Sequence, residues 1–364
     1  MPNKDVVNGV FIVEFDNSTM VSIEPPPGEL KMETRKLGST GPQTSPIGLG
    51  LMGMSDLYGP ADRAESIATI HAALDAGVTL LDTGDFYGMG HNEMLLGEAL
   101  RGRDRSQVQI SVKFGALRDP DGGFIGYDSR PQAVANFAAY SLRRLGTEYI
   151  DIYRPARLDP LTPIEDTVGA IAALVRKGHV RHIGLSEVNA DTLRRAHAVH
   201  PVTDVQIEYS MISRGIENGL LQAARELGVG ITAYGVLSRG LISGHWTAQR
   251  EGEHDFRGQY SPRFQGENLK HNLELVERMR AVAQARGISM AQLAIAWVMA
   301  QGVDIVPLVG ARSRPRLQEA LGALDALLLQ SDLEALELIA PQGAAAGGRY
   351  NDYQLSHLDS ERAA

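Results

Sequence analysis

The chain has 364 residues, 43% hydrophobic and 22% charged, with 35 Lys+Arg against 44 Asp+Glu and a formal net charge of −9. It contains no cysteine, which excludes disulfides, thiolate nucleophiles, iron–sulfur clusters and Cys-ligated zinc. The acidic balance argues against a nucleic-acid partner, and no run reaches the roughly 18 apolar residues of a membrane span, so a cytoplasmic soluble enzyme is the expected class.

Residues 1–33 differ from the rest of the chain. Val6–Phe15 has the makings of one or two strands, and Pro25-Pro26-Pro27-Gly28 breaks regular structure. This stretch reads as an appended segment, loosely ordered or a surface hairpin, with no signal peptide. Arg35–Gly41 reads as a hairpin turn. Eight short apolar runs come next: Pro46–Gly50, Thr79–Asp82, Val108–Lys113, Tyr149–Tyr153, His182–Ser186, Asp204–Glu208, Gly230–Tyr234 and Asp304–Val309. Helical patterns lie between them. Asp62–Asp75 aligns Ile67, Ile70 and Leu74; Pro131–Leu145 opens on proline; Pro163–Lys177 stops at Gly178, Ile216–Leu227 at Gly228 and Asn268–Arg286 at Gly287. Strands alternating with helices imply parallel pairing, and eight units imply a closed (β/α)8 TIM barrel. The expected organisation is an extension over 1–33, a barrel over 34–341 and a C-terminal tail over 342–364. The segment from Tyr234 to Asn268 is long for a loop, as functional lids and binding loops are.

Gly48-Leu49-Gly50-Leu51-Met52-Gly53 matches the dinucleotide pattern G-x-G-x-x-G. Its context is wrong. A loop-like Ser55–Pro60 comes after it where a helix should open, and no acidic residue closes a second strand about 20 positions on. The glycines read instead as close packing at a strand end. A stronger signal stands at the ends of the second and third strands, where Asp82, Tyr87 and Lys113 converge on the C-terminal mouth of the expected barrel. Each alone reads as a turn, packing or solvated residue. Together they form an acid, a phenol and an ammonium, in which Lys113 lowers the phenol pKa of Tyr87 and Asp82 orients Lys113. That is a proton donor suited to a carbonyl oxygen. No metal-ligand pattern and no Gly-x-Ser-x-Gly elbow is present.

On this pattern, Asp82…Tyr87…Lys113 resembles the aldo-keto reductase superfamily. Leu80–Gly88, Lys177–Ser186, Gln206–Ser210, Tyr234–Gly244 and Gly310–Ser313 through Arg316 and Glu319 carry the likeness. The resemblance implies NADPH (or NADP+) lying across the barrel mouth, and a small carbonyl compound as substrate. It places Gly50, Leu51, Met52 and Asp82 near the nicotinamide ribose, and Ser186 and Gln206 on the carboxamide. Tyr234 would lie under the nicotinamide ring, Gly240 and Leu241 over the pyrophosphate, and Gly310, Arg312, Arg316 and Glu319 at the adenosine end. Two usual asparagines are replaced, by Glu187 and Ala320. The usual histidine of a Tyr-x-x-His-Arg-x-Asp segment is Ala156, which puts Ala156 beside Tyr87 in the substrate pocket; Arg157, next along the strand, is expected to point elsewhere unless the strand ends at Pro155 and the backbone turns. The Ala-Arg-x-Asp arrangement resembles the pyridoxal reductase and pyridoxine dehydrogenase branch. The activity implied is carbonyl reduction, with hydride from nicotinamide and the proton from Tyr87. The alternatives are a cofactor-binding regulatory or sensor subunit, or an alcohol dehydrogenase working oxidatively. The oligomeric state is left open.

Overall fold

The computed structural model describes residues 32–55, 57–246 and 256–362. Of the first 31 residues it describes only the backbone of an antiparallel pair, Lys4–Val7 with Val10–Val13; the rest of the expected N-terminal extension lies outside the described residues. Residues 1–33 form one compact unit and 34–364 another.

In the larger unit, eight parallel strands close into a barrel: β1 (Gly48–Gly50), β2 (Leu80–Gly84), β3 (Gln109–Phe114), β4 (Ile150–Pro155), β5 (Val180–Ser186), β6 (Val202–Glu208), β7 (Gly230–Tyr234) and β8 (Ile305–Gly310). These are the eight apolar runs of the sequence, and nearly every strand residue is buried. Gly50 pairs with both Gly310 and Asp82, which closes the ring. No described helix is long and apolar enough to cross a membrane.

The helices follow local chemistry. Arg63–Asp75 is capped by the Asp62 carboxylate, which accepts from the Glu65 amide. Its buried face is Ser66, Thr69, Ile70 and Ala73 rather than the expected Ile67–Ile70–Leu74 line. Small side chains take the inner face, so the apolar pattern misjudges its rotation. Pro131–Leu145 begins on its proline and ends on Gly146. Ala190–Val199 and Met290–Ala300 are additional to the helices expected from the sequence. The second is apolar nearly all round and buried, so it lacks the two-faced periodicity that marks a surface helix.

Side chains alternate along a strand, so every second residue faces the barrel interior. Near one end, Leu80, Ile152, Val306 and Leu308 pack with Leu37 from the short hairpin Arg35–Lys36/Gln43–Thr44. Two residues further along, the same rows are polar: Asp82, Ser111, Arg154, Asp204 and Thr232. Arg154 and Asp204 are both fully buried and pair at 2.8 Å. Arg154 also donates to Ser111 Oγ at 3.1 Å, and Ser111 donates to Asp82 Oδ2 at 2.8 Å. Thr232 donates to Asp204 Oδ2 at 2.6 Å.

Gly184 on β5 makes room for this layer. A Cβ there would stand 2.7 Å from Asp204 Oδ1 and 3.0 Å from Arg154 Cζ. Gly184→Ala is therefore expected to destabilise the fold by about 1–3 kcal/mol, the usual range for overpacking. Gly169→Ala, in the helix Ile164–Arg176 with nothing within 4 Å of the new methyl, is expected to stabilise it by roughly 0.5–1 kcal/mol. Urea unfolding of the two variants beside the parent checks both signs.

Candidate active site

The next interior row upward is Gly84, Lys113, Ser186, Gln206 and Tyr234. Lys113 is buried on β3 and contacts the Asp82 carboxylate across the strand pair. Its second partner is Gln206 Oε1 at 2.6 Å. Gln206 turns its Nε2 to Asp82 Oδ2 at 2.8 Å. Asp82 thus accepts from Lys113, Gln206 and Ser111 together. Burial pushes the Lys113 ammonium down to about 8, against the opposing pull of Asp82.

Tyr87 stands just past β2, in a short 3-10 turn, Tyr87–Gly90. It lies over Gly84, where a Cβ would meet its ring carbons at 3.3 Å. The Lys113 ammonium is 5.4 Å from its ring centroid. Its hydroxyl makes no hydrogen bond among the described residues. The expectation of a lowered phenol pKa is corrected. Burial pushes the phenol well above its usual range, the Asp82 carboxylate adds to this, and Arg157 opposes it. Lys113 spends its hydrogen bonds on Asp82 and Gln206 instead. Tyr87 therefore holds its proton firmly at neutral pH.

Ala156 is buried, and its amide donates to the Phe114 carbonyl at 2.8 Å. For Arg157 the exception to strand alternation applies: β4 ends at Pro155, the chain bends, and the guanidinium folds back to donate to the Ala156 carbonyl at 2.6 Å. Strand alternation does not govern it, because it is not on the strand.

No motif or periodicity in residues 342–362 signals that they reach this mouth. Arg349 pairs with Glu187 at 2.5 Å, with Glu361 at 2.7 Å and with Glu208 at 3.5 Å. Ser360 donates to Glu187 Oε2 at 2.5 Å, and Tyr234 donates to Glu187 Oε1 at 2.6 Å. Glu208 also meets Arg239 at 3.1 Å and Arg263 at 3.9 Å. Glu187 is the anchor of this clasp, with a left-handed backbone at φ 53. Burial alone would raise its carboxyl; Arg349 outweighs that and holds it well below the usual range.

The remaining singled-out residues lie along the same rim. Gly48–Gly50 leads into the 3-10 turn Met52–Met54, not the helix a Rossmann reading needs. Leu51 is buried, and its amide donates to the Asp82 carbonyl at 2.9 Å; Met52 is half-buried. A Cβ on Gly50 would come no nearer than 3.8 Å to any atom, and one on Gly310 would meet nothing within 4 Å. Ser186 Oγ is buried without a partner among the described residues. Gly240 and Leu241 follow Arg239 at the turn Ser238–Gly240. Arg312 donates to the Tyr58 carbonyl at 2.7 Å, and Arg316 pairs with Glu319 at 3.0 Å. No group of three or more potential metal ligands occurs among the described residues. Sequence reasoning missed Ser111, Arg154, Asp204, Arg349, Tyr350 and Ser360. The charges of Arg154, directly after the run Tyr149–Tyr153, and of Asp204, at the start of the run Asp204–Glu208, were a usable signal; the tail residues carried none.

Removing Arg349 leaves Glu187 buried and unpaired, at a cost of about 3–5 kcal/mol. Arg349→Ala is expected to deprotect amides 349–361 in hydrogen exchange while the barrel strands stay protected. The acid side works the same way: Glu187's folded pKa lies below its unfolded value, so its contribution is present above that unfolded value and fades as pH falls through the folded one.

The sequence profile of the Aldo/keto reductase family matches residues 46–340. The chain is 40% identical over 325 residues to the probable aldo-keto reductase 1 of Glycine max, covering 88% of this chain and 93% of that protein. Among solved structures, it is similar to the glycerol dehydrogenase AKR11B4 from Gluconobacter oxydans, with a TM-score of 0.77 and 28% identity over 85% of this chain and 95% of that one. A thermostable aldo-keto reductase solved with the inhibitor epalrestat matches at a TM-score of 0.69 and 26% identity, over 85% of this chain and all of that one. A closed eight-stranded barrel with a buried acid–ammonium pair and a phenol at its mouth, matched by this profile over most of its length, belongs to the aldo/keto reductase family, whose members are oxidoreductases of carbonyls and alcohols.

Proposed function

We propose that this protein reduces an aldehyde or ketone to the alcohol with NADPH, and that Tyr87 supplies the proton. The observation that carries this reading is the buried Lys113–Asp82–Gln206 cluster beside a phenol with a free hydroxyl. The residues present fit a nicotinamide cofactor. Gly50 and Gly310 are side by side on β1 and β8, and neither is required by packing, so the backbone there is open to a ligand. Ser186 Oγ is a buried donor in want of an acceptor, as a carboxamide oxygen would be. Gln206 keeps one N–H and one lone pair beyond those given to Asp82 and Lys113.

The bound nicotinamide supplies the hydride. Tyr87 gives its proton to the carbonyl oxygen as negative charge grows there. The ammonium of Lys113 stabilises the phenolate left behind, and Asp82 holds Lys113 in place. Gln206 and Ser111 hold Asp82 oriented. Pyridoxal is a candidate substrate on the Ala156-Arg157-Leu158-Asp159 segment, and belongs in the panel of aldehydes and ketones that tests this reading by NADPH oxidation. A protein that binds NADPH yet turns over nothing on that panel, in either direction, is a sensor or regulatory subunit instead.

Tyr87→Phe is expected to lower kcat by about 10²–10⁴-fold, the usual worth of general acid catalysis, and to leave NADPH binding by fluorescence nearly unchanged. Because the Lys113 charge is lost as pH rises through about 8, kcat/KM for reduction is expected to fall on the alkaline side with an apparent pKa near 8. Lys113→Arg stays charged and should lose that limb, whatever its overall rate. Arg316 and Arg312 are the side chains for a 2′-phosphate. Arg316→Ala is expected to weaken NADPH by roughly 10- to 150-fold, the worth of one hydrogen bond to a charged group, and to leave NADH nearly unaffected. Titration with both nucleotides decides it.

A further inference from the structure

The cations gathered at these strand ends can be matched one by one. Lys113 meets Asp82, and Arg154 meets Asp204. In the clasp, Arg239, Arg263 and Arg349 face Glu187, Glu208 and Glu361. Arg157 is the charge left over. No carboxylate of the described residues lies within 4.0 Å of it. Of its five N–H donors, one is given to the Ala156 carbonyl at 2.6 Å and one, at a long 3.4 Å, to the Tyr350 hydroxyl. The other three have no partner among the described residues.

Its surroundings hold the fork in place, and the nearby Glu187 carboxylate acts on it only from beyond ion-pair distance. Tyr234 donates to Glu187, so in the 3.0 Å contact between the two hydroxyls Tyr350 is the donor to Tyr234. The Tyr350 oxygen is then free to accept from Arg157. The chain Arg157, Tyr350, Tyr234, Glu187 runs in one direction and ends on a carboxylate already paired with Arg349. Arg157 is half-buried, and its field reaches both Tyr87 and Lys113. A planar guanidinium with spare donors, partly withdrawn from water, matches an oxyanion in a way that an ammonium does not.

The geometry points to Arg157 as a specificity residue that receives an anionic oxygen of the substrate, so that the preferred substrates are carbonyl compounds carrying a carboxylate or an equally acidic oxygen. This rests on the carbonyl-reductase reading above and names the substrate class for that site. The bend after Pro155 sets the fork over the strand end that carries Ala156, where relatives have a histidine. The alanine offers no hydrogen bond to a carbonyl oxygen; the charge next to it holds another part of the same molecule.

The test uses the full chain with benzaldehyde and its 2-, 3- and 4-carboxy derivatives, at saturating NADPH. The parent is expected to prefer at least one carboxylated isomer by tenfold or more in kcat/KM, mainly through KM. Arg157→Gln should bring that ratio to near one, and Arg157→Lys should keep part of it. A parent ratio of one or less for every carboxylated isomer overturns the proposal, whether or not the variants fold, and so does a ratio that Arg157→Gln leaves unchanged. Binding separates this from failure of the reductase reading. If no aldehyde is reduced, calorimetry with benzoate and benzamide still reads the subsite. Benzoate binding tenfold tighter than benzamide, lost in Arg157→Gln, supports the oxyanion site while the activity reading falls. Equal or absent binding of the two overturns the site as well.

Discussion

Lys113 and Asp82 hold opposite charges in contact where almost no water reaches them, and much of the barrel interior exists to make that tolerable. Charges taken out of water are costly unless every lone pair and proton finds a partner. Here the partners come from the same alternating rows of the strands. Ser111 and Gln206 donate to Asp82, Arg154 donates to Ser111, and Asp204 with Thr232 meets Arg154, leaving only Arg154 Nε and Asp204 Oδ1 of this layer without a partner among the described residues. The polar layer rests on an apolar one closed by Leu37, so the fixed dipoles are held in a rigid, dry frame. Burial is also what tunes the chemistry, since it pulls Lys113 towards neutrality and keeps Tyr87 protonated.

The same reasoning extends to the rim. Glu187, just past β5, and Glu208, the last residue of β6, stand at a place where two carboxylates would repel. The arginines of three separate segments, Arg239, Arg263 and Arg349, gather around them. The C-terminal residues are thereby tied to the strand ends that the proposed cofactor and substrate share. Glu187 is the anchor for Arg349, Ser360 and Tyr234.

The sequence by itself determined the barrel and three members of its mouth. Eight apolar runs separated by helix-length segments leave few other topologies, because parallel strands need long crossovers and bury both faces. Asp82, Tyr87 and Lys113 were legible because strand ends are predictable and the fold brings strand ends together. Helix faces were less so: the inner face of Arg63–Asp75 is set by small residues, and the all-apolar Met290–Ala300 has no period to read. What only the tertiary structure decided is everything that depends on contact between distant segments. Ser111 is an ordinary serine until Arg154 fixes its proton on Asp82. Arg349, Tyr350 and Ser360 sit in a stretch with no pattern, and become part of the site because buried carboxylates more than a hundred residues away need cations and donors. Arg157 turns inward because its strand ends two residues earlier than alternation assumes. Local sequence carries propensity and spacing; the pairing of buried charge is a property of the closed barrel, where solvent is gone and each charge must be met by whichever segment arrives beside it.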